Sequence, residues 1–248
     1  MASTSEVGLA KVLGNFNDLT SFCIGWGNKY VPSLKALEVA NLQLLHQQVT
    51  AVNKEVKTAK STFDKAVNQR QIVFEPVKKM STRVLNALSS SGADKKAIAD
   101  AVTINRKIQG VKAPKTTPPP AQGQEAPEQS PKTISAAQLS FDSLQDNFDK
   151  LLELVKQEEN YKPNEAELKI TALESFLAGI TAINKAVIDA LVPLSNKRIE
   201  RDSLMYDEPG GLVPIALQVK KYAKSVFTAN SPQYRQVSKL QFRNRNKK

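Results

Sequence analysis

The chain has 248 residues, enough for one large domain or two smaller ones, and 41% of them are apolar, within the range of soluble globular proteins. One cysteine, Cys23, excludes an internal disulfide framework and a cysteine-based zinc site; one histidine, His46, excludes a histidine-rich metal site and tells against a histidine-dependent triad. The formal net charge of +11 admits a polyanionic partner without requiring one.

The first segment, Met1 to Glu6, has no basic stretch followed by an apolar block. A cytoplasmic location is therefore the expectation. No run reads as the roughly 20 apolar residues that span a bilayer, so no membrane partner is expected.

In chain order, Leu9, Val12, Phe16, Leu19 and Cys23 form the apolar stripe of a first helix. A connector with Gly27, Asn28, Tyr30 and Pro32 follows, and a proline suits the start of the next element. Leu42, Leu45, Val49, Val52, Val56, Ala59 and Phe63 alternate in steps of three and four. That is the seam of a long helix packing on another helix. Pro76 is expected to break it, because proline removes a donor and clashes with the preceding turn. A third helix is predicted over 76–89, and a fourth over 95–109 with Asp94 as its N-cap.

From Gly110 to Lys132 the chain is rich in Pro, Gln and Gly, a composition that cannot bury enough apolar area to offset ordering. It reads as a flexible linker with polyproline II character, or as a ligand for an aromatic groove.

The same plan then recurs. Phe141, Leu144, Phe148, Leu151 and Val155 repeat the first stripe. Tyr161-Lys162-Pro163 repeats Tyr30-Val31-Pro32. Leu173, Phe176, Ile180, Ile183, Val187, Ala190 and Leu194 repeat the long seam at an offset of 131. Pro193 is expected to kink this second long helix. The turn Asp207-Glu208-Pro209-Gly210-Gly211 is the counterpart of the Pro76 break, followed by a helix over 212–228. Ser231-Pro232 supplies an N-cap and first-turn proline for a short helix over 232–239.

Alternating strand patterns are absent from the sequence. The predicted fold is all-α: an elongated helical bundle of two tandem repeats related by a pseudo-two-fold and joined by a Pro-rich linker. Its predicted parts are repeat one over 1–109, the linker over 110–133, repeat two over 134–242 and a basic tail over 243–248. The long seams are the natural mutual interface of the repeats; two separate bundles on the linker are the alternative.

Charge is uneven: +7 over 1–109, −5 over 134–196 and +8 over 197–248. Either the acidic stretch packs beside basic ones, or the protein presents a basic face to a polyanion. Candidate polyanion-binding residues are Lys78, Lys79 and Arg83, their counterparts Lys220, Lys221 and Lys224, and then Lys239, Arg243 and Arg245, with Lys247 and Lys248 beyond. An exposed, solvated helix face explains the same residues.

Asn53-Lys54 and Asn184-Lys185 lie at matching places beside the seams. A half-buried Asn there sets register between paired helices; a symmetric pair of binding positions is the alternative. Arg70 and Arg201 near the ends of the long helices read as caps or interhelical ties. His46 and Cys23 carry no motif: the counterparts are Leu177 and Val155, and no Glu-x-x-His, phosphate loop or nucleophile elbow occurs. The carboxylates Glu158, Glu159, Glu165 and Glu167 read as exposed helix-end charges. No cofactor, metal or small-molecule substrate is indicated.

The Tyr-x-Pro connectors, Leu194 to Arg201, Gly211-Leu212-Val213, Val219 to Phe227 and Ser231 to Tyr234 resemble an uncharacterised bacterial family of duplicated all-helical proteins. The resemblance covers most of the chain outside the linker. It implies the fold and brings no activity, cofactor or catalytic residue.

The function expected is that of a non-enzymatic structural or interaction protein, self-associating or binding a protein partner. The alternative is sequence-nonspecific nucleic-acid binding through the duplicated lysines and the basic tail. An enzyme would need a deep polar pocket, which no sequence feature marks.

Overall fold

A computed structural model describes residues 8–111 and 139–243. Most of the predicted linker, together with Arg245, Lys247 and Lys248, lies outside those residues. The described residues are helical, with no strand among them.

Among the described residues eight helices follow in chain order: α1 (Leu9–Gly25), α2 (Val39–Phe74), α3 (Val77–Ser90), α4 (Lys95–Gln109), α5 (Phe141–Gln157), α6 (Ile170–Tyr206), α7 (Leu212–Phe227) and α8 (Pro232–Ser238). Short 3-10 turns interrupt the connectors at Gly27–Lys29, Lys35–Leu37 and Ala166–Leu168.

Local chemistry sets the ends. α2 stops at Phe74, two residues before Pro76. Asp94 caps α4 by accepting from the Lys96 amide, and Gly110 ends it in the left-handed region at φ 76°. There the Val111 amide bonds to the Arg106 carbonyl, closing the last turn. Ser140 and Ser231 cap α5 and α8 through the Ser143 and Tyr234 amides. α6 does not end at Pro193 but runs on for three more turns. The proline removes one intrahelical donor, and it does so on an exposed face.

The chain forms two compact units, and neither is one sequence repeat. The first comprises 1–63 and 190–248; the second comprises 64–189. Their boundaries fall inside α2 and α6.

In the first unit α7 packs on α1, α8 and the 35–37 turn. Its core gathers Phe16, Leu19, Cys23, Leu42 and Val49 with Met205, Leu212, Val219, Ala223 and Val237. Trp26 lies 4.9 Å from Phe227 and Tyr30 lies 5.3 Å from Tyr222, ring centre to ring centre. The Asn15 amide donates to the Gln241 carbonyl at 3.0 Å, tying α1 to the chain after α8.

In the second unit α4 packs on α3 and α5, and α3 also meets α5. Val77, Val84, Leu88, Ala101 and Ile108 share a core with Phe148, Leu151, Leu152, Leu173 and Ile180. Phe74 meets Phe141 edge-on at 4.9 Å, and Phe148 meets Phe176 at 5.1 Å.

Both seams face inward. Leu42, Val49, Val52 and Val56 are buried on α2, and Leu173, Ile180, Val187 and Leu194 on α6.

Candidate functional site

The repeated Tyr-x-Pro motif is a tie within each connector. The Tyr30 hydroxyl donates to the Leu37 carbonyl at 2.8 Å, and the Tyr161 hydroxyl donates to the Leu168 carbonyl at 3.0 Å. All four residues are buried. Each tyrosine folds the connector back onto itself, so that the leucine enters the core. Burial pushes the Tyr161 hydroxyl up to about 12, with Glu165 adding to the shift. The Tyr30 hydroxyl is pushed up as well, by burial first and then by Cys23 and Tyr222.

The repeated lysines divide. Lys220 is half-buried, and its ammonium donates to the carbonyls of Ser238 and Leu240, at 2.9 Å each. Burial lowers its pKa. Lys78 makes a weaker version of the same tie, donating to the Gln109 carbonyl at 3.5 Å, while the Gln109 amide returns a bond to the Lys78 carbonyl at 2.7 Å. In both cases a lysine supplies a cation to the C-terminal end of the next short helix, where carbonyls are left over. Arg83 forms an ion pair with Glu167. Lys79, Lys221, Lys224, Lys239 and Arg243 are exposed. The candidate basic set therefore separates into groups engaged inside the fold and groups facing solvent.

The Asn-Lys positions also separate. Asn184 is buried and donates to Gln145 Oε1 at 2.8 Å and Asp142 Oδ1 at 3.2 Å. It accepts from Arg70 at 3.5 Å. The Arg70 guanidinium lies 4.1 Å from the centre of the Phe141 ring. Asn184 thus joins α6 to α5 and α2 inside the second unit. Asn53 is half-buried, Lys54 is exposed, and Lys185 pairs with Asp189 one turn along α6 at 2.6 Å. Arg201 bonds to Asp202 at 2.6 Å.

Cys23 is buried, and burial pushes its thiol up to about 12, so the thiolate form is suppressed. His46 is half-buried and stacks on Phe16 at 6.3 Å between ring centres. Among the described residues no group of three or more His, Cys, Asp or Glu side chains is placed to hold a metal.

A cleft of about 810 Å³ lies in the second unit between the end of α3 and the 160–168 connector. Arg83, Lys162 and Glu165 line it with Asn86, Asn160 and Asn164. Its charges are of both signs, Arg83 is held by Glu167, and Asn160 donates to the Gly92 carbonyl at 3.2 Å.

The outer face of α6 was not singled out from the sequence. Ile188, Leu191, Val192 and Ile199 are 55%, 38%, 52% and 66% exposed. By length and composition α6 is long and apolar enough to cross a membrane, which corrects the reading that no such stretch exists. Its buried seam residues, including Leu173, Ile180 and Leu194, contribute to that hydropathy alongside the exposed ones. A signal was present in the repeat itself: the matching positions on α2 are Lys57, Lys60, Ser61 and Asn68. The seam is apolar in both copies, whereas this outer face is apolar on α6 alone.

No protein-family model, no curated protein and no solved structure matches the chain.

Proposed function

We propose that this protein is a helical scaffold that acts through association, with itself or a protein partner, rather than through a reaction. The proposal includes its construction from two tandem repeats of one helical plan, related by a pseudo-two-fold and joined by the Pro-rich segment. Cytoplasmic location and kinship with the bacterial family it resembles belong to the same reading.

One observation carries the reading. The outer face of α6 exposes four large apolar side chains that the pattern common to both halves does not use. A lone exposed leucine needs no explanation, but a cluster on one helix marks a surface awaiting a partner. The repeated polar groups support it from the other side. Tyr30, Tyr161 and Lys220 have their hydrogen bonds inside the fold, as befits architecture.

The test is size exclusion with light scattering on the full chain, as purified and after nuclease treatment, at low and high salt. An assembly or complex that survives high salt supports the proposal. A monomer that carries nucleic acid until salt removes it overturns it. That outcome would favour the second reading, which rests on exposed Lys221, Lys224, Lys239 and Arg243 in the first unit.

A further inference from the structure

We infer that the outer stripe of α6 pairs antiparallel with the same stripe of a second copy of this chain. The inference rests on the association reading above and names its partner.

The stripe is Lys185, Ile188, Val192, Ser195, Ile199 and Asp202. The steps are three, four, three, four and three, the spacing that keeps residues on one side of a helix facing another helix. Ile188, Val192, Ser195 and Ile199 are exposed, and Leu191 flanks them. A helix lying on a lipid surface shows the same spacing, so the occupant is decided by the charges at the two ends of the stripe. Elsewhere in the chain the spacing marks the seams of α2 and α6, which are buried.

The order of residues identifies the occupant. Read backwards, the stripe runs Asp202, Ile199, Ser195, Val192, Ile188, Lys185. Laid antiparallel on itself, it sets Ile188 against Ile199 of the second copy and Val192 against its Ser195. Lys185 then meets Asp202 of the second copy, and Asp202 meets Lys185. The small Ser195 leaves room for Val192 at the centre. A two-fold interface requires such self-complementarity, because each contact occurs twice. A parallel arrangement would oppose like charges at both ends.

The end groups are available. Lys185 is 74% exposed and pairs with Asp189 along its own helix; Asp202 is 42% exposed and bonded to Arg201. Each gains an opposite charge from the second copy without leaving its present partner. The corresponding stripe on α2 has Lys57, Ser61, Asp64 and Asn68 and cannot form an apolar seam. The inference therefore assigns the interface to α6 alone.

The experiment is sedimentation equilibrium of the full chain across a concentration series, with circular dichroism confirming unchanged helicity. Wild type is expected to dimerise reversibly, and Ile199→Lys to remain monomeric at every concentration. Lys185→Asp and Asp202→Lys singly are each expected to raise the dissociation constant about tenfold, since each turns two attractive pairs repulsive. The double swap K185D/D202K is expected to restore it. A dimer indifferent to these substitutions overturns the inference while leaving association intact. A monomer that pelts with anionic vesicles, or that binds only a different protein, also overturns it. A wild-type monomer with no partner overturns both readings.

Discussion

Replacing Tyr161 with phenylalanine tests the claim that the repeated tyrosines hold the connectors. The ring stays and only the hydroxyl goes, so no large cavity forms. The lost bond is 3.0 Å long and joins two residues that are each 5% exposed. A typical hydrogen bond contributes about 1 kcal/mol net, and a buried carbonyl left without a donor costs about 1–3 kcal/mol. Some relaxation of the connector is expected, so the loss should be about 1–2.5 kcal/mol. Tyr30→Phe removes the equivalent 2.8 Å bond and should cost a similar amount. The two sites share no partner, so the double variant should be additive within about 0.5 kcal/mol. Urea unfolding followed by circular dichroism measures all three. Losses below about 0.5 kcal/mol at both sites, the scale of an ordinary surface substitution, would refute the reasoning.

The same groups govern alkaline behaviour. Burial raises the folded pKa values of Cys23 and Tyr161 to about 12, from ordinary values of 9.0 and 10.0, and raises that of Tyr30 as well. The folded state therefore holds protons that the unfolded state releases, so their contribution is fully present below about pH 9 and falls as pH rises toward 12. Denaturant midpoints at pH 8, 10 and 11 should decrease in that order; a flat profile contradicts the assignment. Cys23 should react with a thiol reagent at neutral pH only after urea unfolds the chain, and rapid native labelling would show that the thiol is not core. Lys220→Met should destabilise by about 1–3 kcal/mol and increase proteolysis after residue 238, whereas Lys78→Met should cost less than about 0.5 kcal/mol. Equal effects at the two lysines would argue against the distinction drawn from 2.9 and 3.5 Å. Gly211→Ala would bring a Cβ within 2.8–2.9 Å of the Asp207 and Tyr206 backbone, so a loss of about 1–3 kcal/mol in thermal unfolding is expected. An unchanged melting temperature would show that the turn yields easily.

The helices were legible because their signals are local. Pro76, Asp94 and Ser231 act on neighbouring backbone groups, and observed ends fall at or beside them. The seams were legible because burial repeats with the helical period. Pro193 lies inside α6, on an exposed face, and the helix packed by its seam continues past it. Asn184 was legible as a polar residue joining helices, but its partners Asp142 and Gln145 were not, since they lie on another helix. The α6 stripe is not legible from the repeat, because only one copy carries it.

Sequence by itself determined an all-helical chain, its element boundaries and its inward seams, because capping, proline geometry and apolar periodicity act over a few residues. Tertiary structure decided which elements share a core. Asn15 meets Gln241 across nearly the whole chain, and α1 packs with α7 and α8. Periodicity cannot name such partners, because many helices offer similar apolar stripes and only packing in space selects among them. It was also the packing that turned Lys220 into an internal tie and left Ile188, Val192 and Ile199 outside.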